Sequence, residues 1–231
     1  MIRSTAWGRI PRATMIGPLV MAAALRAQTP AAHFVDSART EIDHAVHDMD
    51  MDRLDRVGVL LDRAIVAFPD DPYVLHYRGY LAYRQAVGWM MMGDRTKMAP
   101  VIARGLADLT KSAETLRWPE TIELEACLNA LRIPLEPGSG MTLGPLTERL
   151  SAEAITLGPN NPRVALLQAY LAQSTPESMG GGAEKAKSLV ARALSLYADD
   201  HPGTLAPIWG KDEAEALQAR LAKPKEPSRP E

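Results

Sequence analysis

The spacing of apolar side chains constrains the fold of this chain more than any other feature of its sequence. From Ser37 onward, apolar residues recur at intervals of three and four positions, as LDRVGVLLDRAIVAF shows with Leu54, Val57, Leu61 and Ile65. This spacing places the residues on one face of an α-helix, whereas a half-buried strand would alternate at every second residue. No convincing alternation of that kind is found, so the sequence predicts an all-α protein.

Proline and glycine divide this helical pattern into segments. Proline lacks the amide donor that a helix interior needs and restricts the residue before it, and glycine permits a positive φ. Clusters of the two residues lie at 68–72, 117–120, 133–140, 157–162 and 174–182. Because the connections are short, neighbouring helices are expected to pack antiparallel as hairpins. The predicted helices are 36–47, 51–67, 72–90, 98–116, 119–132, 142–156, 161–173, 183–197 and 210–222.

One of the junctions between helices recurs within the chain. The segment 62–83, DRAIVAFPDDPYVLHYRGYLAY, aligns with 152–172, AEAITLGPNNPRVALLQAYLA, and each copy has a Pro-x-x-Pro turn after a helix end. A third, partial copy lies at 191–202. Internal similarity of this kind is typical of helical-repeat architectures. Three alanines occupy the equivalent position before the turn: Ala64, Ala154 and Ala193.

The alanine near a helix end, the proline five residues later and the small residue in the next helix resemble the tetratricopeptide repeat. That resemblance implies helical hairpins stacked as an α-solenoid with a concave binding face, and the uneven repeat spacing implies an irregular stack. Residues 142–222 are also similar to a group of secreted tetratricopeptide-like proteins of Bacteroidetes-type bacteria. The shared motifs are TPE..GGG and P.WG..EA, which occur here in TPESMGGGAEKAKSLVARALSLY and LAPIWGKDEAEAL. This second resemblance implies a fold and secretion but no particular chemistry.

The N-terminus has the pattern of a secretory signal peptide. Arg3, Arg9 and Arg12 precede the apolar run 13–25, and the small residue Ala27 follows it. The run is too short for a permanent membrane helix, so we expect export across the inner membrane, to the periplasm, without stable membrane insertion. The alternative is a loose amphipathic helix of a cytosolic protein. The predicted organisation is a signal peptide at 1–27, a helical-repeat domain at 28–222 and a disordered tail, rich in proline and charge, at 223–231.

Charge and cysteine content exclude several classes of function. Without residues 1–27 the chain retains 22 Lys plus Arg against 28 Asp plus Glu, a formal charge of −6. A nucleic-acid partner is not expected, because neutralising phosphates requires clustered basic side chains. Cys127 is the single cysteine, so neither an intramolecular disulfide nor a multi-cysteine metal site can form. Its apolar neighbours predict that it is buried.

The helix 72–90 carries the predicted binding surface. Tyr73, His76, Tyr80 and Tyr83 follow one another at three- and four-residue spacing and therefore share one face. Aromatic rings with polar ends suit a groove that binds a peptide. The alternative is that these tyrosines cap a weakly hydrophobic core. With the equivalent positions of the second copy, the predicted groove residues are Tyr73, His76, Tyr80, Tyr83, Arg84, Arg163, Tyr170 and Gln173.

Three other motifs are assigned structural roles. The glycines 180–182 lack the lysine and the preceding strand of a phosphate-binding loop, so they predict a flexible connector. The segment 43–54 contains His44, His47, Met49 and Met51, side chains that suit copper, but no ring of three or more ligands follows from their spacing, so no metal is predicted. The run 89–93, WMMMG, is predicted to fill a junction between helices, with an adaptable binding surface as the alternative.

No known catalytic motif occurs, whether of the serine-hydrolase or of the zinc-protease type, so the chain is not predicted to be an enzyme and no cofactor is expected. The function predicted from the sequence is a non-enzymatic periplasmic helical-repeat adaptor that binds a peptide, protein or solute in its concave face. The alternative is a solute-handling accessory component of a periplasmic transporter, because the TP…GG pattern is also similar to the helical-repeat component of tripartite ATP-independent periplasmic transporters.

Overall fold

The structure is a computed structural model that describes residues 30–223. The signal peptide predicted at 1–27 lies outside the described residues, as does the predicted tail beyond residue 223. Within 30–223 the regular structure consists of α-helices and one 3₁₀ turn, Glu177–Met179, and contains no strand, which confirms the all-α prediction. The helices are α1 (Ala32–Asp48), α2 (Met51–Ala67), α3 (Pro72–Met91), α4 (Arg95–Ala113), α5 (Pro119–Arg132), α6 (Gly140–Leu157), α7 (Pro162–Ser174), α8 (Ala183–Tyr197) and α9 (Lys211–Ala222).

The helices are arranged in consecutive hairpins. Each of α1, α3, α5 and α7 packs against the helix that follows it, and these first helices of the hairpins also pack side by side. We call the surface that they form the first-helix face. One main hydrophobic core runs through the hairpins, and it also includes Leu205, Trp209 and Leu217 from the C-terminal part of the chain.

Glycine allows a close approach inside the α3–α4 hairpin. A Cβ on Gly105 would lie 2.6 Å from the Cβ of Ala82 and 2.9 Å from a methyl group of Leu128, and 3.6 Å from the carbonyl oxygen of Gly79. These distances leave no room for a side chain at Gly105. The second hairpin and α5 therefore meet through contacts that depend on this glycine.

The repeated junction seen in the sequence has the same geometry in both copies. Asp71, at the N-cap of α3, accepts hydrogen bonds from the amides of the second and third residues that follow it, at 3.0 and 3.1 Å. Asn161, at the N-cap of α7, accepts the equivalent two bonds at 2.9 and 3.1 Å. Side chains of this type satisfy amides that the first helical turn leaves without partners. Both helices also begin with proline, whose fixed φ suits this position.

The three glycines 180–182 form a bend whose amides are already occupied. Gly180 and Gly182 have φ values of 80° and 99°, which glycine adopts at little cost. The amides of Gly180, Gly181 and Gly182 donate to the carbonyl oxygens of Glu177, Pro176 and Ala172. These amides are not free to bind a phosphate, which agrees with the predicted connector.

The loops define two edges of the molecule. Because successive helices of a hairpin are antiparallel, the loops inside hairpins lie on one edge and the junctions between hairpins lie on the other. Two contacts agree with this arrangement: Met51 packs on Gly88 at the first edge, and Pro119 packs on Gly158 at the second. Among residues 30–223, no helix combines the length and the apolar character that crossing a membrane requires.

Candidate functional site

The first-helix face is covered by the chain's own C-terminal segment. Residues 205–222, which comprise α9 and the six residues before it, lie against α1, α3, α7 and α8. The hydroxyl of Tyr77 on α3 donates to the carbonyl oxygen of Leu205 at 2.8 Å. The guanidinium of Arg39 on α1 donates to the carbonyl oxygen of Ala206 at 3.1 Å. We call residues 205–222 the C-terminal cover.

Tyr80 and Arg84 of α3 form the centre of this contact. The ring of Trp209 stacks on Tyr80 with 4.9 Å between the ring centroids and an interplanar angle of 10°. Arg84 donates to both carboxylate oxygens of Glu213, at 2.8 and 2.5 Å, and its Nε donates to the Tyr80 hydroxyl at 3.0 Å. Its guanidinium also lies over both rings, 5.0 Å from the centroid of Tyr80 and 5.2 Å from that of Trp209. Arg84 is only 7% exposed, so its charge depends on these partners.

Tyr170 and Gln173 of α7 also contact the cover. The Tyr170 hydroxyl lies 3.5 Å from a carboxylate oxygen of Glu213, and Arg220 donates to the side-chain oxygen of Gln173 at 3.1 Å. Burial raises the pKa of Tyr170 to about 12, and the negative charge of Glu213 adds to this shift. Burial, with Glu213 again adding to it, raises the pKa of Asp43 on α1. The cover therefore brings negative charge to the first-helix face, where Arg84 compensates it.

Arg163 of α7 pairs with a residue just before the cover. Its two terminal nitrogens donate to the two carboxylate oxygens of Asp200, at 3.2 and 2.7 Å. The guanidinium lies 5.6 Å from the ring centroid of Tyr197. Arg163 is 3% exposed, and its Nε has no hydrogen-bond partner among the described residues.

The remaining predicted groove residues pack inside the hairpins. His76 shares a 2.8 Å hydrogen bond between its Nδ1 and the hydroxyl of Thr121, and its ring meets Trp118 edge-on at 5.0 Å. Burial lowers the pKa of His76 to about 3, so this histidine is neutral in the folded protein. Tyr73 contacts the same Trp118 edge-on at 5.3 Å. Tyr83 is 5% exposed and lies beneath the Arg84 guanidinium.

The predicted groove residues thus lie mostly inside the protein, although the prediction placed them on an open concave face. Tyr73 and Tyr170 are half-buried and Gln173 is exposed, but the other five are buried: His76, Tyr80, Tyr83, Arg84 and Arg163. The C-terminal cover removes Tyr80 and Arg84 from water, whereas the packing between the helices buries the other three. The sequence showed no partner for α9, so this face was expected to be open. Contact of these residues with a partner remains a prediction.

The residues that fill the face were not predicted as part of the site. Trp209 is 2% exposed, and Gly210 turns the chain after it with a φ of 109°. Two signals pointed to this arrangement. One is the Trp-Gly pair before the acidic start of α9, and the other is an arginine, Arg84, among the aromatic and apolar residues of α3, where a buried cation needs an acid such as Glu213.

The exposed methionines lie on the edge that the hairpin loops form. Six of the eight methionines in residues 30–223 are exposed, by 46% to 87%. The run 89–93 was predicted to fill a junction between helices. This prediction is wrong for its three methionines, which are exposed because α3 continues past Gly88, the point at which α2 packs against it. Large exposed apolar side chains that lie together mark interaction surfaces. The exposed methionines are Met49, Met90, Met91, Met92, Met141 and Met179.

Four of these methionines lie at one corner of that edge. The Sδ of Met51, in the first turn of α2, fills the space that a Cβ on Gly88 would need, so the α1–α2 loop lies beside the end of α3. Beyond Gly88, the ammonium of Lys97 lies 4.0 Å from the ring centroid of Trp89. We call the following exposed residues the methionine corner: His47, Met49, Met90, Met91 and Met92.

His44, one of the two histidines on α1 that the copper alternative invoked with Met49 and Met51, is paired with an arginine. The Nδ1 of His44 lies 3.2 Å from a terminal nitrogen of Arg53, whose Nε donates to Glu41 at 2.8 Å. Within residues 30–223, no group of three or more His, Cys, Asp or Glu side chains is placed to hold a metal ion. Cys127 is buried on α5, as predicted.

Comparison with known proteins identifies a fold. No protein-family description matches this chain, and no curated protein matches it. Among solved structures, the HusA haemophore from Porphyromonas gingivalis is similar, with a TM-score of 0.65 and 22% sequence identity. The similarity covers 86% of this chain and 98% of the haemophore chain. At this identity the similarity shows that the two chains share a fold.

Proposed function

We propose that this chain is an exported, non-enzymatic binding protein that carries a tetrapyrrole such as haem at the methionine corner. The observation that carries the proposal is the corner itself, which exposes four thioethers and an imidazole on a protein with the fold of a haemophore. Binding without turnover also fits the absence of a known catalytic motif from the sequence.

The side chains at the corner suit each part of such a ligand. Methionine and histidine are established axial ligands of haem iron. Methionine side chains are flexible and polarizable, so they adapt to the flat apolar face of a macrocycle. The cationic side chains of Arg95 and Lys97, in the first turn of α4, suit the propionate carboxylates.

Two other surfaces suit a tetrapyrrole less well. The first-helix face is covered by residues 205–222, and its central residues Tyr80 and Arg84 are buried. A cleft at the junctions between hairpins has a volume of about 230 Å³. This is below the roughly 300–1,000 Å³ of pockets for drug-sized ligands, and a haem is larger than such ligands.

The test is a titration of the purified protein with haemin and, separately, with iron-free protoporphyrin IX, followed by visible absorbance. We expect stoichiometric binding of haemin with a shifted Soret band. The triple variant Met90→Ala, Met91→Ala, Met92→Ala should bind at least about tenfold more weakly, a loss of about 1.4 kcal/mol. The matched control is Met141→Ala with Met179→Ala, which removes the same side chain further along the edge.

The two ligands separate apolar binding from iron ligation. Loss of haemin binding but retention of protoporphyrin binding in His47→Ala or Met49→Ala would assign that residue to the iron. Absence of stoichiometric binding by the unaltered protein would contradict the proposal. Equal weakening in the triple variant and in the matched control would contradict the assignment to the corner.

The adaptor function predicted from the sequence is a second candidate, favoured by the kind of contact that the C-terminal cover makes. An aromatic stack through Trp209 and a carboxylate at Glu213 are features that a partner peptide could supply in its place. The probe is a labelled peptide of residues 205–222 added to the variant Trp209→Ala, Glu213→Ala. If the labelled peptide binds and a peptide with the same two substitutions does not, the result would support the idea that a partner peptide replaces the C-terminal cover. Absence of binding by both peptides would contradict that idea. The other alternative, an accessory component of a periplasmic transporter, is supported only by the TP…GG sequence pattern.

A further inference from the structure

A small cleft lies on the edge that the junctions between hairpins form. Its volume is about 230 Å³, and its walls include Trp118 before α5, Arg163 at the start of α7 and Asp200 after α8. Glu120, in the first turn of α5, also lines it. We call this space the junction cleft. The loops of the methionine corner lie on the opposite edge, so the two surfaces are independent.

Glu120 is buried in the wall of the junction cleft without a hydrogen-bond donor. The residue is only 5% exposed, and none of the described residues donates a hydrogen bond to its carboxylate. The nearby Tyr77 hydroxyl instead donates to the Leu205 carbonyl oxygen at 2.8 Å. Both terminal nitrogens of Arg163 donate to Asp200. The carboxylate oxygens of Glu120 are not among the side-chain atoms that are both shielded from solvent and without a partner, so they open onto the cleft, where they are free to accept hydrogen bonds from a bound molecule.

The position of Glu120 on its helix explains only part of this arrangement. A carboxylate in the first turn of a helix is favoured by the helix dipole. That effect accounts for an acid at this position, but it does not supply donors to oxygens that face a cleft. Arg163 forms an ion pair with Asp200 and also interacts electrostatically with Glu120, so two carboxylates and one guanidinium leave the cleft wall with a net negative charge.

The aromatic wall adds a second feature that favours a cation. Trp118 is half-buried and held in place by edge-on contacts to Tyr73 and His76, with ring centroids 5.3 and 5.0 Å apart. A fixed indole ring attracts ammonium and guanidinium groups through the negative charge on its face. A carboxylate beside an aromatic wall in a narrow space is suited to a donor-rich cation.

We propose that the junction cleft binds a primary ammonium or guanidinium group, with Glu120 as its charged partner and Trp118 as its aromatic wall. The size of the cleft limits the ligand to a small amine or to a single side chain, because the volume is below that of pockets for drug-sized ligands. The cation comes either from a free amine or from a lysine or arginine side chain of a peptide. Both sources present the same chemistry to Glu120.

The test follows the indole N–H signal of Trp118 by ¹H–¹⁵N NMR in the purified protein, with Trp118→Phe used to assign the signal. Methylguanidinium, agmatine and the peptide acetyl-Gly-Arg-Gly-amide are added at millimolar concentrations. The peptide acetyl-Gly-citrulline-Gly-amide is the neutral control, since it has nearly the shape of the arginine peptide without its charge. We expect the cationic probes to shift the signal and the citrulline peptide to leave it in place.

The variant Glu120→Gln keeps the size of the side chain and removes its charge. Its affinity for the cationic probes should fall at least about tenfold, whereas Glu148→Gln, on the exposed surface of α6, should bind like the unaltered protein. Tighter binding of the arginine peptide than of methylguanidinium would identify a side chain as the source, and equal binding would identify a free cation. The proposal is overturned by equal shifts with the arginine and citrulline peptides, by unchanged affinity in Glu120→Gln, or by no shift with any probe. The arginine–citrulline comparison uses the unaltered protein, so it holds even if Glu120→Gln does not fold.

Discussion

The guanidinium of Arg84 donates to both carboxylate oxygens of Glu213, a residue that follows it by 129 positions in the chain. This pair joins the second hairpin to the last helix, and the stack of Trp209 on Tyr80 lies directly beside it. The buried cation and its acid therefore link two parts of the fold that local sequence does not connect.

Removal of the acid should destabilise the protein substantially. Glu213→Ala leaves the charge of Arg84 buried without its partner, and we expect a loss of about 2–4 kcal/mol in the free energy of unfolding. Urea denaturation followed by circular dichroism measures this loss. Glu215→Ala, two residues later on the exposed side of α9, is the control and should change stability by less than about 0.5 kcal/mol. Similar values for the two variants would show that the pair does not hold the cover in place.

The glycine contact between α3 and α4 gives a second prediction. Replacing Gly105 with alanine should destabilise the protein, although alanine has the higher helix propensity. Gly105→Ala places a methyl group within 2.6 Å of Ala82 and 2.9 Å of Leu128, so we expect a net loss of about 1–3 kcal/mol from overpacking. Gly58→Ala, on α2, places its methyl group in ordinary contact with Leu81 at 3.7 Å and should gain about 0.5–1 kcal/mol. Thermal unfolding of both variants checks the prediction, and stabilisation in both would contradict the close approach.

Buried His76 should make the protein sensitive to acid. Its pKa is about 3 in the folded state, against an ordinary value of 6.5, so below pH 6.5 the unfolded chain binds a proton that the folded protein does not. Stability contributed by neutral His76 is therefore complete above pH 6.5 and decreases by about 1.4 kcal/mol per pH unit as the pH falls toward 3. The free energy of unfolding of His76→Phe, compared with that of the unaltered protein, should therefore increase as the pH is lowered from 6.5 to 5. A pH-independent difference would contradict the buried neutral state.

Buried Glu123 should produce the opposite dependence. Burial raises its pKa from 4.5 to about 7, although Ser151 and Gln168 donate hydrogen bonds to it. The folded protein keeps a proton that the unfolded chain releases above pH 4.5, so stability falls by about 1.4 kcal/mol per unit between pH 4.5 and 7. Glu123→Gln should gain stability relative to the unaltered protein over that range, as urea denaturation at several pH values would show.

The two buried groups oppose one another between pH 4.5 and 6.5. The combined variant His76→Phe, Glu123→Gln should therefore differ from the unaltered protein by a nearly constant amount over this range, although each single variant shows a slope. Single variants without slopes of opposite sign would contradict at least one of the two assignments.

Local features of the sequence predicted the helices well and their long-range packing poorly. Helices α2 and α8 begin and end where the apolar spacing and the flanking proline and glycine placed them, at 51–67 and 183–197. The N-caps at Asp71 and Asn161 were marked by the repeated Pro-x-x-Pro turn. These features involve residues within a few positions of one another, which is the range over which sequence spacing is informative.

The candidate site depends on contacts that spacing does not describe. The sequence identified Tyr80 and Arg84 as neighbours on one helix face, but their partners Trp209 and Glu213 lie more than a hundred positions away, and no local pattern joins them. Exposure of Met90, Met91 and Met92 depends on how far α3 extends past the helix packed against it, which is also a property of the tertiary structure.

The position of the C-terminal cover also determines when the protein can finish folding. Until residues 205–222 are available, the hairpins formed earlier in the chain expose Tyr80 to water and leave Arg84 without its acid. The native state therefore requires nearly the whole described chain, and a fragment that ends before α9 would have an incomplete interior. Within the described residues, closure of the interior around Tyr80 and Arg84 therefore depends on α9 and the segment before it.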